Sequence, residues 1–208
     1  MCGIFGQVNY NKKVSLEAAI KMSQALYHRG PDGEGIWSNE SQSVFLGHRR
    51  LAILDLSDNG KQPMISKCGR FILSFNGEIY NYKELKKILP EVEFRSETDT
   101  EVLLELFIKL GVNSFNLLNG MFAFAIWDNL KNELTCARDR FGEKPFFYYH
   151  TSGELLFSSE IKALWQSGIK KNVNNEAFFN PTLDADGNWF ISAEEVNGCT
   201  LQQAESIP

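Results

Sequence analysis

The chain opens Met1-Cys2-Gly3, and a cysteine directly behind the initiator methionine can do unusual chemistry. Removal of Met1, which a small second residue permits, would leave a thiol and a free α-amine on one residue. The thiolate is the competent nucleophile. An α-amine has a pKa of roughly 7.7–8, near working pH, where a base is efficient. Nucleophiles activated by their own terminal amine are a known arrangement. Cys2 could thus supply nucleophile and base without a His or Asp partner. A cysteine in second place has no such meaning by itself, so the weight falls on what accompanies it.

Three clusters accompany it. Gly47-His48-Arg49-Arg50-Leu51-Ala52-Ile53 sets two arginines at the end of a strand. A guanidinium fork fits a carboxylate at two points. Phe75-Asn76-Gly77-Glu78 sets an amide, a glycine and a carboxylate where a strand turns into a loop. Glycine allows close backbone approach, and an Asn side chain with a backbone N–H can form an oxyanion hole, one donor being worth ~10²–10³ in rate. Thr98-Asp99 opens a helix and offers a carboxylate to an ammonium. Taken together, these groups describe a site for an amino acid with a side-chain amide. Each also has a plainer reading. Asp99 suits the first turn of a helix dipole, the arginines suit a solvated strand end, and Asn76-Gly77 suits a turn.

Elements must position these groups. Residues 4–10 read as a strand directly behind Cys2. Ser15 is a candidate N-cap for a helix over 16–28, without a capping box. Residues 29–33, with Pro31 and two glycines, form a loop. Residues 44–54 read as a strand interrupted by Gly47 and the charged 48–50, and 58–60 as a turn. The 71–75 strand ends at Asn76-Gly77. A helix over 82–89 stops at Pro90. Thr98 with Glu101 makes a capping box for a helix closed by Gly111. Strands follow at 121–128, 133–138, 145–150 and 155–158, then a helix over 159–166 that ends at Gly168. Many strands and few helices indicate an α+β domain of antiparallel sheets. After about 173 the chain turns polar and loses periodicity.

Composition excludes several classes. The 208 residues suit one large domain or a domain with an appendage, and 43% apolar content supports a core. A net charge of −5 points to neither nucleic acid nor an anionic membrane. No apolar run approaches ~18 residues, and no signal peptide is evident. Cys2, Cys68, Cys136 and Cys199 are scattered, and His28, His48 and His150 lack metal-ligand spacing. The expectation is a cytoplasmic protein without disulfides or metal.

Eight stretches, in order, wording and spacing, resemble the class II glutamine amidotransferases, and specifically the glutaminase domain of the asparagine synthetases: MCGIFG (1–6), HRGPDG (28–33), HRRLAILDLSDNGKQPM (48–64), FNGEIYNY (75–82), ETDTEV (97–102), LNGMFAFAIWD (118–128), ARDRFGEKPFFY (137–148) and FSSEIKAL (157–164). The resemblance covers roughly 1–170. It implies an N-terminal-nucleophile hydrolase fold, a four-layer αββα sandwich of antiparallel sheets. It implies hydrolysis of L-glutamine to glutamate and ammonia through a thioester on Cys2. By matching motif, Arg50 would hold the α-carboxylate, and Leu51, Ala52, Ile53 and Leu54 would line the pocket along the same strand. Asn76 and Gly77 would form the oxyanion hole, and Glu78 and Asp99 would take the α-ammonium. Residues 29–33 would close over glutamine. Arg138, Asp139 and Arg140 would be a structural network, with docking as an alternative.

In asparagine synthetases a larger domain follows, binding ATP and amidating aspartate. No S-G-G-x-D-S stretch occurs here. The expected organisation is a glutaminase domain over 1–172 and a divergent tail over 173–208, without a synthetase domain. No cofactor is expected in this chain, with ATP and Mg²⁺ belonging to the synthetase domain. That domain or a partner subunit would receive the ammonia, and a homodimer is compatible. Two alternatives stay open: ammonia delivered to another acceptor such as a surface-polysaccharide sugar, and a glutamine-binding module without turnover. In the tail, residues 184–195 resemble a degenerate calcium EF-hand loop, with Trp189 at the position that should be Gly. A solvated tail is the default there.

Overall fold

The computed structural model describes residues 1–52 and 60–170. In chain order its strands are β1 (Gly3–Asn9), β2 (Gly33–Ser38), β3 (Val44–Arg50), β4 (Met64–Ile65), β5 (Phe71–Ile79), β6 (Gly120–Asp128), β7 (Glu133–Arg138), β8 (Phe147–His150) and β9 (Glu154–Ser158). The helices are α1 (Leu16–Ala25), α2 (Tyr82–Lys87), α3 (Asp99–Leu110) and α4 (Ile161–Leu164). The strands make two sheets, ordered β2-β3-β1-β9-β8 and β4-β5-β6-β7. Every pairing is antiparallel.

Side chains alternate along a strand with period two, and this alternation builds the layers. Ile4, Val8, Val44, Leu46, Leu155 and Phe157 of the first sheet meet Ile72, Ala123, Ala125 and Trp127 of the second. The other face of the first sheet sends Phe5, Phe45 and Leu156 against Met22 of α1 and Leu164 of α4. The other face of the second sends Leu73, Phe75, Phe122 and Phe124 against Leu103 and Leu106 of α3 and Leu85 of α2. Fully burying such a side chain contributes ~1.5–3 kcal/mol. The result is the expected αββα order.

Several expectations need correction. β3 is not interrupted at 47–50, because β1 and β2 pair with it on both sides. It ends at Arg50, and Leu51 and Ala52 continue outside the sheet. Ile53, Leu54 and most of the 58–60 turn lie outside the described residues, as does the EF-hand-like stretch 184–195. β5 does not stop at residue 75. Its ladder with β6 continues through Asn76↔Ala123 and Gly77↔Phe122 to Ile79↔Gly120. β2 and β4 had no local signal, since glycine-rich β2 is a half-exposed edge strand and β4 has two residues. α1 and α4 are shorter than their periodicity suggested, each followed by a 3-10 turn, Tyr27–Arg29 and Trp165–Ser167.

Two anchors hold the loops. Thr98 caps α3, its Oγ1 accepting from Glu101 N–H at 3.3 Å. The Glu101 carboxylate does not return to Thr98. It accepts instead from Arg95 N–H and Ser96 N–H at 3.0 and 2.7 Å, clamping the preceding loop. Asp139 accepts four backbone N–H groups, from Phe122, Phe141, Glu143 and Lys144. Burial alone would raise its pKa, but those donors hold it below the usual carboxylate value. Arg138 and Arg140 donate to carbonyls of Lys144 and Leu118.

Candidate active site

The alternation that builds the core also assembles the site. Cys2 continues the parity of Ile4 and Val8, Arg50 that of Val44 and Leu46, and Asn76 and Glu78 that of Ile72. All four therefore belong to the faces that the two sheets turn toward each other. The β1–β3 register pairs Gly3 with Arg49, so one step further Cys2 stands across from Arg50. Leu51 N–H donates to Cys2 Sγ at 3.4 Å, and Sγ lies 3.7 Å from Leu51 O. Burial raises the Cys2 thiol pKa, while the Leu51 backbone, the chain's α-amine, Arg50 and Arg29 pull it down without reversing the rise. The thiol therefore needs a base.

Arg50 reaches toward the start of α3. A Cβ added to Gly60 would fall 2.6 Å from Arg50 Nη2 and 3.4 Å from Thr98 Cγ2. Arg49 goes the other way. It donates to Glu34 Oε2 at 2.7 Å and Gly30 O at 3.1 Å, and lies over the Tyr27 ring at 4.8 Å.

Asn76 is 2% exposed, and among the described residues its Nδ2 has no hydrogen-bond partner. A buried donor left unmade costs ~1–3 kcal/mol. Such a group could donate to an oxyanion. Gly77 has a steric reason to be glycine, since a Cβ there would sit 2.3 Å from Met121 O. Asp99 is buried at the first turn of α3, with Oδ2 accepting from Ile79 N–H at 2.9 Å. Burial pushes its pKa up to about 6, and the nearby Glu78 carboxylate adds to the rise against its backbone donors. Two adjacent carboxylates, one exposed and one buried, suit a cation between them.

Residues 29–33 are fastened to the end of β3. Asp32 N–H donates to Arg50 O at 3.0 Å, and Asp32 Oδ2 accepts from Ala52 N–H at 2.9 Å. A cavity of about 470 Å³ opens there, lined by Asp32, Glu34, His48, Arg50, Ala52 and Gln62 among others. Neither Cys2 nor Asn76 is among its described lining residues.

Some contributors had no assigned role in sequence reasoning. His48 is 1% exposed, and burial drives its pKa down to about 3, so the ring is neutral. It lies near the Phe75 backbone, and among the described residues neither of its ring nitrogens has a hydrogen-bond partner. Gln62 accepts from Phe75 N–H at 2.6 Å and donates to Thr100 Oγ1 at 3.4 Å, joining β5 to α3. Both fall within family-like stretches, which was their only signal. Among the described residues no group of three or more His, Cys, Asp or Glu is placed to hold a metal, and no helix is long and apolar enough to cross a membrane.

Known proteins match this arrangement. The sequence pattern of the family described as "Glutamine amidotransferase domain" matches residues 1–186. The putative asparagine synthetase (glutamine-hydrolyzing) 2 of Methanocaldococcus jannaschii is 44% identical over 196 residues, covering 85% of this chain and 38% of that protein. Asparagine synthetase (glutamine-hydrolyzing) 3 of Bacillus subtilis is 42% identical over 170 residues, 79% of this chain and 27% of that protein. The chain thus spans well under half the length of these relatives. Among solved structures, the glutamine phosphoribosylpyrophosphate amidotransferase of B. subtilis superposes with a TM-score of 0.70 at 24% identity, covering 80% of this chain and 44% of that one. That likeness speaks for the fold, the N-terminal-nucleophile sandwich. With the family pattern running through Cys2, the end of β3 at Arg50 and the Asn76-Gly77 stretch of β5, the chain belongs to the class II glutamine amidotransferase family.

Proposed function

We propose that the chain is the glutaminase half of an asparagine synthetase-type amidotransferase, acting in the cytoplasm after loss of Met1. Arg50 binds the α-carboxylate of L-glutamine, with Leu51 and Ala52 beside it. Glu78 and Asp99 bind the α-ammonium. The Cys2 amine takes the thiol proton, and the thiolate forms a C–S bond to the side-chain amide carbon. Asn76 Nδ2 and the Gly77 N–H receive the oxyanion. The amine returns its proton to the leaving nitrogen, the C–N bond breaks, and ammonia departs from a γ-glutamyl thioester. Water, deprotonated by the same amine, then cleaves the C–S bond and releases glutamate.

The observation that carries this reading is the buried, unpartnered Asn76 amide on the face turned toward Cys2. The relatives' names support aspartate as the final ammonia acceptor; ATP and Mg²⁺ would act in a synthetase portion. The test is glutamate release from L-glutamine by the purified chain and by Cys2→Ala, with intact mass recorded on both. Activity in the wild type alone, with Met1 absent, is expected. Equal activity in Cys2→Ala would overturn the mechanism.

A further inference from the structure

A residue at the very end of a chain is held by one peptide bond. Without further fixing, rotation about that bond swings its side chain and amine together, and termini fray unless tied down. The carbonyl of Cys2 is the handle available for such fixing, and Arg29 takes it, Nε donating to Cys2 O at 2.9 Å. Arg29 is itself held from far along the chain. Its Nη1 donates to Glu160 Oε1 at 3.0 Å, and its side chain is only 9% exposed. His28 Nε2 lies 2.8 Å from the same Oε1, and Lys162 Nζ lies 3.0 Å from Oε2. The next residue back completes the clamp. Ser159 N–H donates to Ile4 O at 2.9 Å, and Ile4 N–H donates to Ser159 Oγ at 3.0 Å. Gly3 leaves room for it, since a Cβ there would lie 3.4 Å from Arg29 Cδ and 3.3 Å from Leu26.

We propose that Glu160 is a positioning residue for the nucleophile: acting through Arg29, it fixes the Cys2 backbone and with it the approach of thiol and amine to the substrate. The proposal rests on the glutaminase reading above. Burial would raise the Glu160 pKa, but its bonds to Lys162, Arg29 and His28 hold it at about 2, so the clamp stays charged through the working range. A misplacement of ~1 Å costs about 10²-fold in rate. The Glu160 carboxylate bonds His28, Arg29 and Lys162 and neither Arg50 nor Asp99 among the described residues, so its loss should act on kcat and leave glutamine binding alone.

The experiment compares kcat and KM for L-glutamine in wild type, Glu160→Ala, Glu160→Gln, Arg29→Ala and the Arg29→Ala/Glu160→Ala double variant. Glu160→Ala should lower kcat ~10- to 100-fold with KM within about twofold. Glu160→Gln keeps an acceptor for Arg29 and should recover most of the loss. In the Arg29→Ala background, Glu160→Ala should cost nothing further. An unchanged kcat, a change in KM alone, or additive losses would overturn the proposal. A second readout needs no turnover. Iodoacetamide labelling of Cys2, followed by mass spectrometry, should speed several-fold in Glu160→Ala as the thiol loosens toward solvent. Exposed Cys68 and buried Cys136 should label as in wild type, the latter reporting that the fold is intact. Wild type without glutaminase activity would defeat the functional reading, while unchanged Cys2 labelling would defeat the Glu160 proposal.

Discussion

Arg49 and Arg50 are neighbours in the chain and end on opposite sides of the first sheet. Arg49 is buried against Tyr27 and bonded to Glu34 and Gly30 on the helix side, while Arg50 lines the cavity near the start of α3. Their substitutions should separate cleanly. Arg50→Ala removes charge-assisted bonds to a carboxylate, each ~1.5–3 kcal/mol, and should raise the glutamine KM ~10- to 100-fold. Arg49→Ala should lower stability by ~1–3 kcal/mol with a smaller change in KM. Urea unfolding and steady-state kinetics on both variants check this, and a reversed pattern would exchange their roles.

Asn76 gives the inverse signature. Its Nδ2 is buried and has no partner among the described residues. Asn76→Ala should therefore leave stability unchanged or slightly improved, while kcat falls ~10²–10³-fold. A parallel loss of stability would mean that the amide serves the fold instead.

Asp99 couples stability to pH. Burial raises its folded pKa to about 6 from an ordinary 3.8. Below 3.8 both folded and unfolded states are protonated and nothing is lost. As pH rises through the window to about 6, the unfolded state ionises first and stability falls by ~3 kcal/mol. Asp99→Asn should escape this, so its advantage over wild type should grow from near zero at pH 4 to ~3 kcal/mol above pH 6. Comparison between variants is needed because buried His48 acts in the opposite sense. Its pKa, lowered to about 3, withdraws stability as pH falls below 6.5. The same Asp99→Asn change should weaken glutamine binding, and the wild-type KM should rise as pH falls below about 6, where Asp99 takes up a proton. A flat KM across pH 5–7.5 would remove Asp99 from the ammonium site.

Gly60 tests the placement of Arg50 without touching it. An added methyl would fall 2.6 Å from Arg50 Nη2. The guanidinium is the far end of a flexible side chain, so it should shift and the protein should still fold. Gly60→Ala is expected to raise the glutamine KM several-fold while kcat holds. An unchanged KM, measured in the same assay, would mean that Arg50 binds from another position.

The candidate site residues Cys2, Arg50, Asn76, Glu78 and Asp99 could all be picked out from the sequence, because each is a side chain whose chemistry is carried by its type. The capped start of α3 was legible for the same kind of reason, since Thr98 bonds a residue three positions away. Strand ends were less so. Nothing local says that β5 runs on through Asn76 and Gly77, because that depends on β6 lying alongside. β2 exists because β3 offers it an edge. The division of labour between Arg49 and Arg50 follows from strand parity, which becomes meaningful only once the buried faces are known. Ser159 bonds Ile4 across 155 residues, and Glu160 bonds Arg29, which in turn holds the Cys2 carbonyl, across 131. The sequence by itself determined which groups can react. Tertiary structure alone decided which face each one looks toward and what holds the Cys2 backbone in place, because hydrogen bonds between distant segments exist only after the sheets have stacked.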